Sequence, residues 1–146
     1  MRRTLQAYIT VIILVGLGLM ASLTFLRASA MLPILSGIVF LAVLGVIAES
    51  QGIAIDNDKA ISISFAINIS ALLLFGLAPA AWVSFATAFF AIVDAGQGKK
   101  QHFLNTPLYK MLLNAANYII SILACGFVFE RLGGRYLIDL KLVGFE

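Results

Sequence analysis

Five apolar stretches, each close to the length needed to cross a bilayer, fill most of this chain and leave only short polar connectors between them. The hydrocarbon core of a bilayer is about 30 Å thick and a helix rises about 1.5 Å per residue, so roughly 20 apolar residues make one crossing. On that measure the spans fall at about 5–26, 31–48, 60–77, 80–95 and 108–129. A chain of 146 residues that is 62% hydrophobic and 12% charged, with mean hydropathy +1.03, has too little polar surface to enclose its apolar residues in a water-soluble core. The expected fold class is all-α: a polytopic transmembrane helix bundle of about five spans, six if a further helix follows, forming a single integral membrane domain over 1–146.

The connectors carry the punctuation. Glu49-Ser50-Gln51 ends the second stretch, and Asp56-Asn57-Asp58-Lys59 precedes the third. Gly76-Leu77-Ala78-Pro79 separates the third from the fourth, Asp94 closes the fourth, and Glu130-Arg131 closes the fifth, leaving 132–146 as a non-spanning tail. Within the third stretch, Ile61 to Ser70 alternates large apolar and small residues with period two, which is a strand pattern. A lone strand in lipid leaves its backbone N–H and C=O groups unpaired, so a helix is expected there instead, with Asp56, Asn57 and Asp58 placed to accept its free N–H groups. Arg2-Arg3 ahead of an apolar run imitates a secretion signal, but the run outlasts a signal core of about 7–15 residues and more spans follow, so a retained first helix is expected. Arg2 also stands where myristoylation needs a glycine, and the C-terminus carries no prenylation box.

Lys and Arg in short loops tend to remain in the cytoplasm. With the N-terminus inside, Arg2, Arg3, Lys59, Lys99, Lys100 and Lys110 fall on the cytoplasmic side, against Arg27, Arg131, Arg135 and Lys141 outside. The bias favours a cytoplasmic N-terminus in a bacterial-type inner (plasma) membrane. Five spans then put the C-terminus outside, so either a further span lies beyond Glu146 or one of the five is not a full crossing. The net charge of +3 is accounted for by headgroup anchors such as Lys99-Lys100, and no nucleic-acid partner is expected.

Catalytic arrangements are scarce. His102 and Cys125 are the only histidine and cysteine, which leaves no His/Cys metal cluster, thiol pair or disulfide within one chain. His102 reads as a solvated loop residue and Cys125 as a small packing residue in the fifth span. No two of the seven acids stand at i, i+3 or i, i+4 within a span, and Gly96-Gln97-Gly98 reads as a turn and not a phosphate loop. The chain is therefore read as non-catalytic by itself, with no metal and no cofactor.

Polar residues inside the spans are the functional candidates. Asn114, Asn117 and Ser121 recur at i, i+3, i+7 and share one face of the fifth helix, and Ser64 and Asn68 share a face of the third. Two such faces either hydrogen-bond to each other, at about 0.6–2 kcal/mol per contact, or line a cavity for a small polar ligand. Asp94, the acid nearest a span interior, is a candidate functional acid, weighed against a simple interfacial role beside Lys99 and Lys100. Ala80, Ser84 and Ala88, and again Gly18 and Ser22, form stripes that permit close helix approach and leave surface for a homo-oligomer. Tyr8, Trp82, Tyr109 and Tyr136 stand near span ends as interfacial anchors, Tyr118 lies deeper on the Asn114/Asn117 side, and Phe85, Phe89 and Phe90 meet lipid or a neighbouring helix.

The run Ile61-Ser-Ile-Ser-Phe-Ala-Ile67, then Leu72 to Ala81, Tyr109 to Ser121 and Phe127 to Gly134, resembles the multi-span N-terminal membrane module of bacterial HD-GYP and GGDEF cyclic di-GMP signalling proteins over about residues 5–135. The resemblance implies a sensory, signal-input or anchoring module that passes a stimulus to a cytoplasmic signalling domain or protein. No HD, GYP or GGDEF sequence is present, so no catalytic residue carries over. Such modules continue through further helices into the enzyme domain, and a parent protein of this kind is a cyclic di-GMP phosphodiesterase or cyclase. The small hydrophobic chain, the Gly76-to-Pro79 break and the acid closing the fourth span are also similar to substrate-binding membrane subunits of energy-coupling-factor vitamin transporters, which have six spans. A third class is a small non-enzymatic subunit that works only in a complex.

Overall fold

The computed structural model of the protein describes residues 3–51, 53–56, 59–61, 63–94, 100–102 and 104–138. Among these the regular secondary structure is helical apart from two short antiparallel β-hairpins. Helix α1, Arg3–Met31, contains no proline and runs for 29 residues, straight through Arg27 where a loop is expected from the charge. The break comes at Pro33, in a 3-10 turn over Leu32–Ile34, and α2 follows at once as Leu35–Ser50. Pro33 has no N–H to offer the preceding turn, which is why the helix stops there and not at the arginine. Glu49, expected outside the second span, lies within the last turn of α2.

The third expected span is corrected at its start. Strands β1, Ile53–Asp56, and β2, Lys59–Ile61, pair as a hairpin with Ile53 opposite Ile61 and Asp56 opposite Lys59, and α3 begins only at Ser64 and ends at Phe75. The objection to a lone strand does not hold here, because β1 supplies the backbone partners that Ile61 needs. Asp56 is consequently a strand residue and not a helix cap, while Asn57 and Asp58 lie outside the described residues. Gly76, at φ 87°, ends α3 in a conformation that costs glycine little, and α4 starts immediately as Leu77–Phe90. Its first intrahelical bond runs from the Ala80 N–H to the Gly76 carbonyl, so Pro79 sits where no N–H is required. The fourth span is thus 77–90 and not 80–95, and Asp94 falls in strand β3, Val93–Asp94, opposite Lys100 of β4, Lys100–Gln101. Helix α5 follows Pro107 as Leu108–Arg131.

Specific pairs give the directions. The Trp82 indole N–H donates to Thr24 Oγ1 at 2.8 Å, and a Cβ on Gly16 would come within 2.8 Å of Ala116, so α1 runs antiparallel to α4 and alongside α5. Gly37 abuts Phe75 and Gly45 abuts Thr87, while the Ile92 N–H donates to Ser50 Oγ at 2.9 Å, so α2 returns parallel to α4. The helical run from Arg3 to Ser50 therefore doubles back at Pro33, and the five helices alternate in direction. One end of the bundle, the turn end, gathers Pro33, Gly76 and the close of α5; the other, the hairpin end, gathers the start of α1 and both β-hairpins.

Helix α4 is the centre: it contacts all four other helices and buries Ala80, Ser84 and Ala88 along one stripe. Gly45 against Thr87 and Gly126 against Leu77 are the closest approaches around it. The Gly18/Ser22 stripe, by contrast, is exposed, and a Cβ on Gly18 would touch nothing. The tail is not wholly detached, since Tyr136 is buried against Gly76 and Phe129; residues 139–146 lie outside the described residues. The Arg3–Ser50 run and Leu108–Arg131 are long and apolar enough to cross a membrane. The 12-residue α3 and 14-residue α4 are apolar but extend only about 18 and 21 Å at 1.5 Å per residue, short of the roughly 30 Å that a full crossing takes.

Candidate functional site

Glu49 organises the polar interior. A carboxylate in the last turn of a helix is opposed by the helix dipole, yet Glu49 reaches the opening residue of α3, whose first turn has no acidic residue and no side-chain cap. Ser64 Oγ donates to Glu49 Oε2, and the Tyr118 hydroxyl of α5 donates to Glu49 Oε1 at 2.8 Å. One side chain thereby ties the end of α2 to the start of α3 and to the second turn of the α5 polar face. Ser50 fixes the same turn from the other side, donating to the Val46 carbonyl at 2.6 Å while accepting from Ile92.

Helices α3 and α5 both pack on α4 but meet each other only briefly, and the gap between them is a cavity of about 550 Å³. Ser64, Phe65 and Asn68 of α3 form one wall, Asn114, Asn117, Tyr118, Ser121, Ile122 and Cys125 of α5 form the other, Ser84 of α4 is the floor and Glu49 closes the hairpin end. All five polar residues singled out on the third and fifth spans line this one cavity. Ser64 and Asn68 are 2% and 4% exposed, whereas Asn114, Asn117 and Ser121 stand open on the α5 wall.

The two asparagine faces oppose each other without bonding. Asn68 Oδ1 accepts from Thr87 Oγ1 of α4 at 3.4 Å, and no side-chain hydrogen bond of Asn114, Asn117 or Ser121 is present among the described residues. Ser84 is 1% exposed and its Oγ has no hydrogen-bond partner among the described residues. A buried hydroxyl left in that state costs about 1–3 kcal/mol, a cost that a polar group entering the cavity removes.

Asp94 belongs to β3 at the hairpin end and not to the close of a helical span. Glu49 is the acid at the site, and its sequence signal is slight, a single acid closing an apolar run with no Lys or Arg between Arg27 and Lys59. Ser84 reads in the sequence as one more small packing residue, and only the cavity beneath it distinguishes it. Cys125 lies within α5, exposed on the cavity rim. His102 organises the turn into α5, its N–H donating to Asn105 Oδ1 at 2.8 Å and its Nδ1 accepting from the Leu104 N–H at 3.2 Å.

A second, smaller cavity of about 290 Å³ lies at the turn end between Met31, Pro33, Leu77 and Tyr136, with Arg27 and Glu130 at its edge. Comparison with protein-family models, with curated proteins and with solved structures finds no match for the chain.

Proposed function

We propose that the protein is a multi-pass membrane module, non-catalytic by itself, whose cavity between α3 and α5 takes a small polar ligand and whose hairpin end passes occupancy to a cytoplasmic signalling domain or partner. The observation that carries the reading is the convergence of Ser64, Asn68, Asn114, Asn117 and Ser121, together with Glu49 and the Ser84 hydroxyl, on one partly open gap. Polar groups are kept inside apolar bundles at a cost, and they concentrate where such proteins act.

Support for the membrane comes from the outer surface, where Phe25 is 87% exposed, Leu14 66% and Phe40 63%. An apolar belt of that kind is stable against acyl chains and not against water. Arg3, Lys59, Lys100 and Lys110 belong to the hairpin end and Arg27, Arg131 and Arg135 to the turn end, with Arg2, Lys99 and Lys141 outside the described residues. That distribution favours a cytoplasmic hairpin end in an inner membrane. In this arrangement the bundle makes five passes, with the short α4 packed against all four other helices.

Signal input is favoured by the placement of Glu49 and Ser64 on either side of the β1–β2 hairpin. Whatever displaces either residue from the other moves the hairpin on the cytoplasmic side. An HD-GYP or GGDEF domain is the kind of partner that the resemblance implies. The second reading, a substrate-binding subunit of a vitamin-type transporter, draws on the cavity volume, which falls within the roughly 300–1,000 Å³ of small-molecule sites.

The test is ligand retention by the full chain in lipid nanodiscs, followed by native mass spectrometry. Wild type is expected to carry a bound small molecule, and Asn114→Leu and Asn117→Leu to lose it with little change in melting temperature. If the two substitutions move only the melting temperature, the polar face is helix packing and the reading fails. Net uptake of the released compound by proteoliposomes carrying the chain and an energising partner would place it with the transporters.

A further inference from the structure

We propose that the ligand of this cavity is a small organic cation, with its positive centre on the Glu49 carboxylate and against the rings of Tyr118 and Phe65. The inference rests on the cavity being a ligand site, and adds the charge and shape of what enters it. Among the described residues the side-chain donors to Glu49 are neutral hydroxyls, from Ser64 and Tyr118, which hold the carboxylate in place without an opposite charge. Each carboxylate oxygen accepts one of these bonds and keeps a second acceptor site free. Among the described residues no Lys, Arg or His lines the cavity, so an anionic ligand meets one like charge and no opposite one from these side chains.

The remaining lining fits a cation with an organic frame. Two aromatic rings share the cavity with the carboxylate, and an ammonium or guanidinium set over such a ring gains electrostatic attraction that grows as water is excluded. The amides of Asn114 and Asn117 and the Ser84 hydroxyl offer acceptors for the N–H or O–H groups of the same molecule. A bare metal ion is a poorer fit, because no group of three His, Cys, Asp or Glu side chains comes together among the described residues.

The experiment measures thermal shift and Trp82 fluorescence of the full chain in nanodiscs, titrated with matched pairs of probes. Choline is set against its neutral isostere 3,3-dimethylbutan-1-ol, and guanidinium against urea, with acetate as the anion. Choline or guanidinium is expected to raise the melting temperature saturably, and the neutral and anionic probes to leave it unchanged. Glu49→Gln is expected to weaken cation binding about ten- to a hundred-fold, the loss of one charge-assisted contact. Because that variant also disturbs the α2–α3–α5 junction, Phe65→Leu serves as a second: this ring is exposed, so its removal is expected to weaken cation binding several-fold at an unchanged melting temperature of the unliganded protein. If the neutral isosteres bind as well as the cations, and Glu49→Gln changes neither, the cation assignment falls while the cavity remains a ligand site. If no probe binds and native mass spectrometry finds no retained small molecule, both readings fall.

Discussion

Tyr118 donates one of the two hydrogen bonds that hold the Glu49 carboxylate, and removing its hydroxyl leaves one oxygen of a half-buried charge unsatisfied. Tyr118→Phe is expected to lower stability by about 1–2 kcal/mol, read by reversible unfolding in mixed micelles. Gly45 makes a sharper test, since a Cβ there would stand 2.1 Å from Thr87 Oγ1, the atom that donates to Asn68. Gly45→Ala is expected to cost about 1–3 kcal/mol in the wild-type background and clearly less with Thr87→Ala, because the clash and the broken hydrogen bond share one atom. An undiminished penalty in the double variant would place the strain elsewhere. At this scale the sequence shows Asn114, Asn117 and Ser121 as one face, because helical spacing is a property of the chain itself. It hides Glu49, because an acid at the end of an apolar run has the same local signature whether its side chain turns outward to headgroups or inward to a neighbouring helix. Which way it turns depends on Ser64 and Tyr118, 15 and 69 positions away.

Between α3 and α4 the chain reverses in a single residue. Gly76 has a positive φ, and a Cβ on it would also meet the Tyr136 ring at 3.3 Å. Gly76→Ala is expected to cost about 1–2 kcal/mol from the backbone conformation, and Tyr136→Ala in the same chain to relieve only the smaller, steric part. The comparison uses urea unfolding of the two single variants and the double variant. The Gly76-to-Pro79 break is plain in the sequence, since glycine and proline act through their own backbone geometry. The start of α3 is not, because Ile61 to Ser70 fits a strand at one end and a helix at the other, and the choice is made by pairing with β1. The same holds for the end of α1, which charge places near Arg27 and proline places at Pro33. Where two local cues compete, the one that removes a backbone hydrogen bond prevails over the one that only prefers water.

For the whole molecule, under the proposed five-pass arrangement, the direction of each helix fixes which residues share a side of the bilayer. In a Cys125→Ser background, Arg135→Cys is expected to react with a membrane-impermeant maleimide added outside intact cells, and Lys110→Cys only after permeabilisation. The reverse pattern inverts the topology, and labelling of both from outside removes the five-pass arrangement. Alternation of helix direction is legible from apolar lengths and connectors alone. The central position of α4 is not, since a helix of small residues looks the same in sequence whether it lies in the middle of a bundle or at its edge. Helices α1 and α2 both rest on α4 while scarcely touching one another, so α4 works as an axle. Mutational tolerance is therefore expected to be divided by helix more than by depth. In a saturation scan, Ala80, Ala81, Val83 and Thr87 should reject almost any enlargement, while the outward faces of α1 and α2 accept most apolar exchanges. Drift within such a protein would erase its periphery first and leave α4 as the part by which distant kin are recognised.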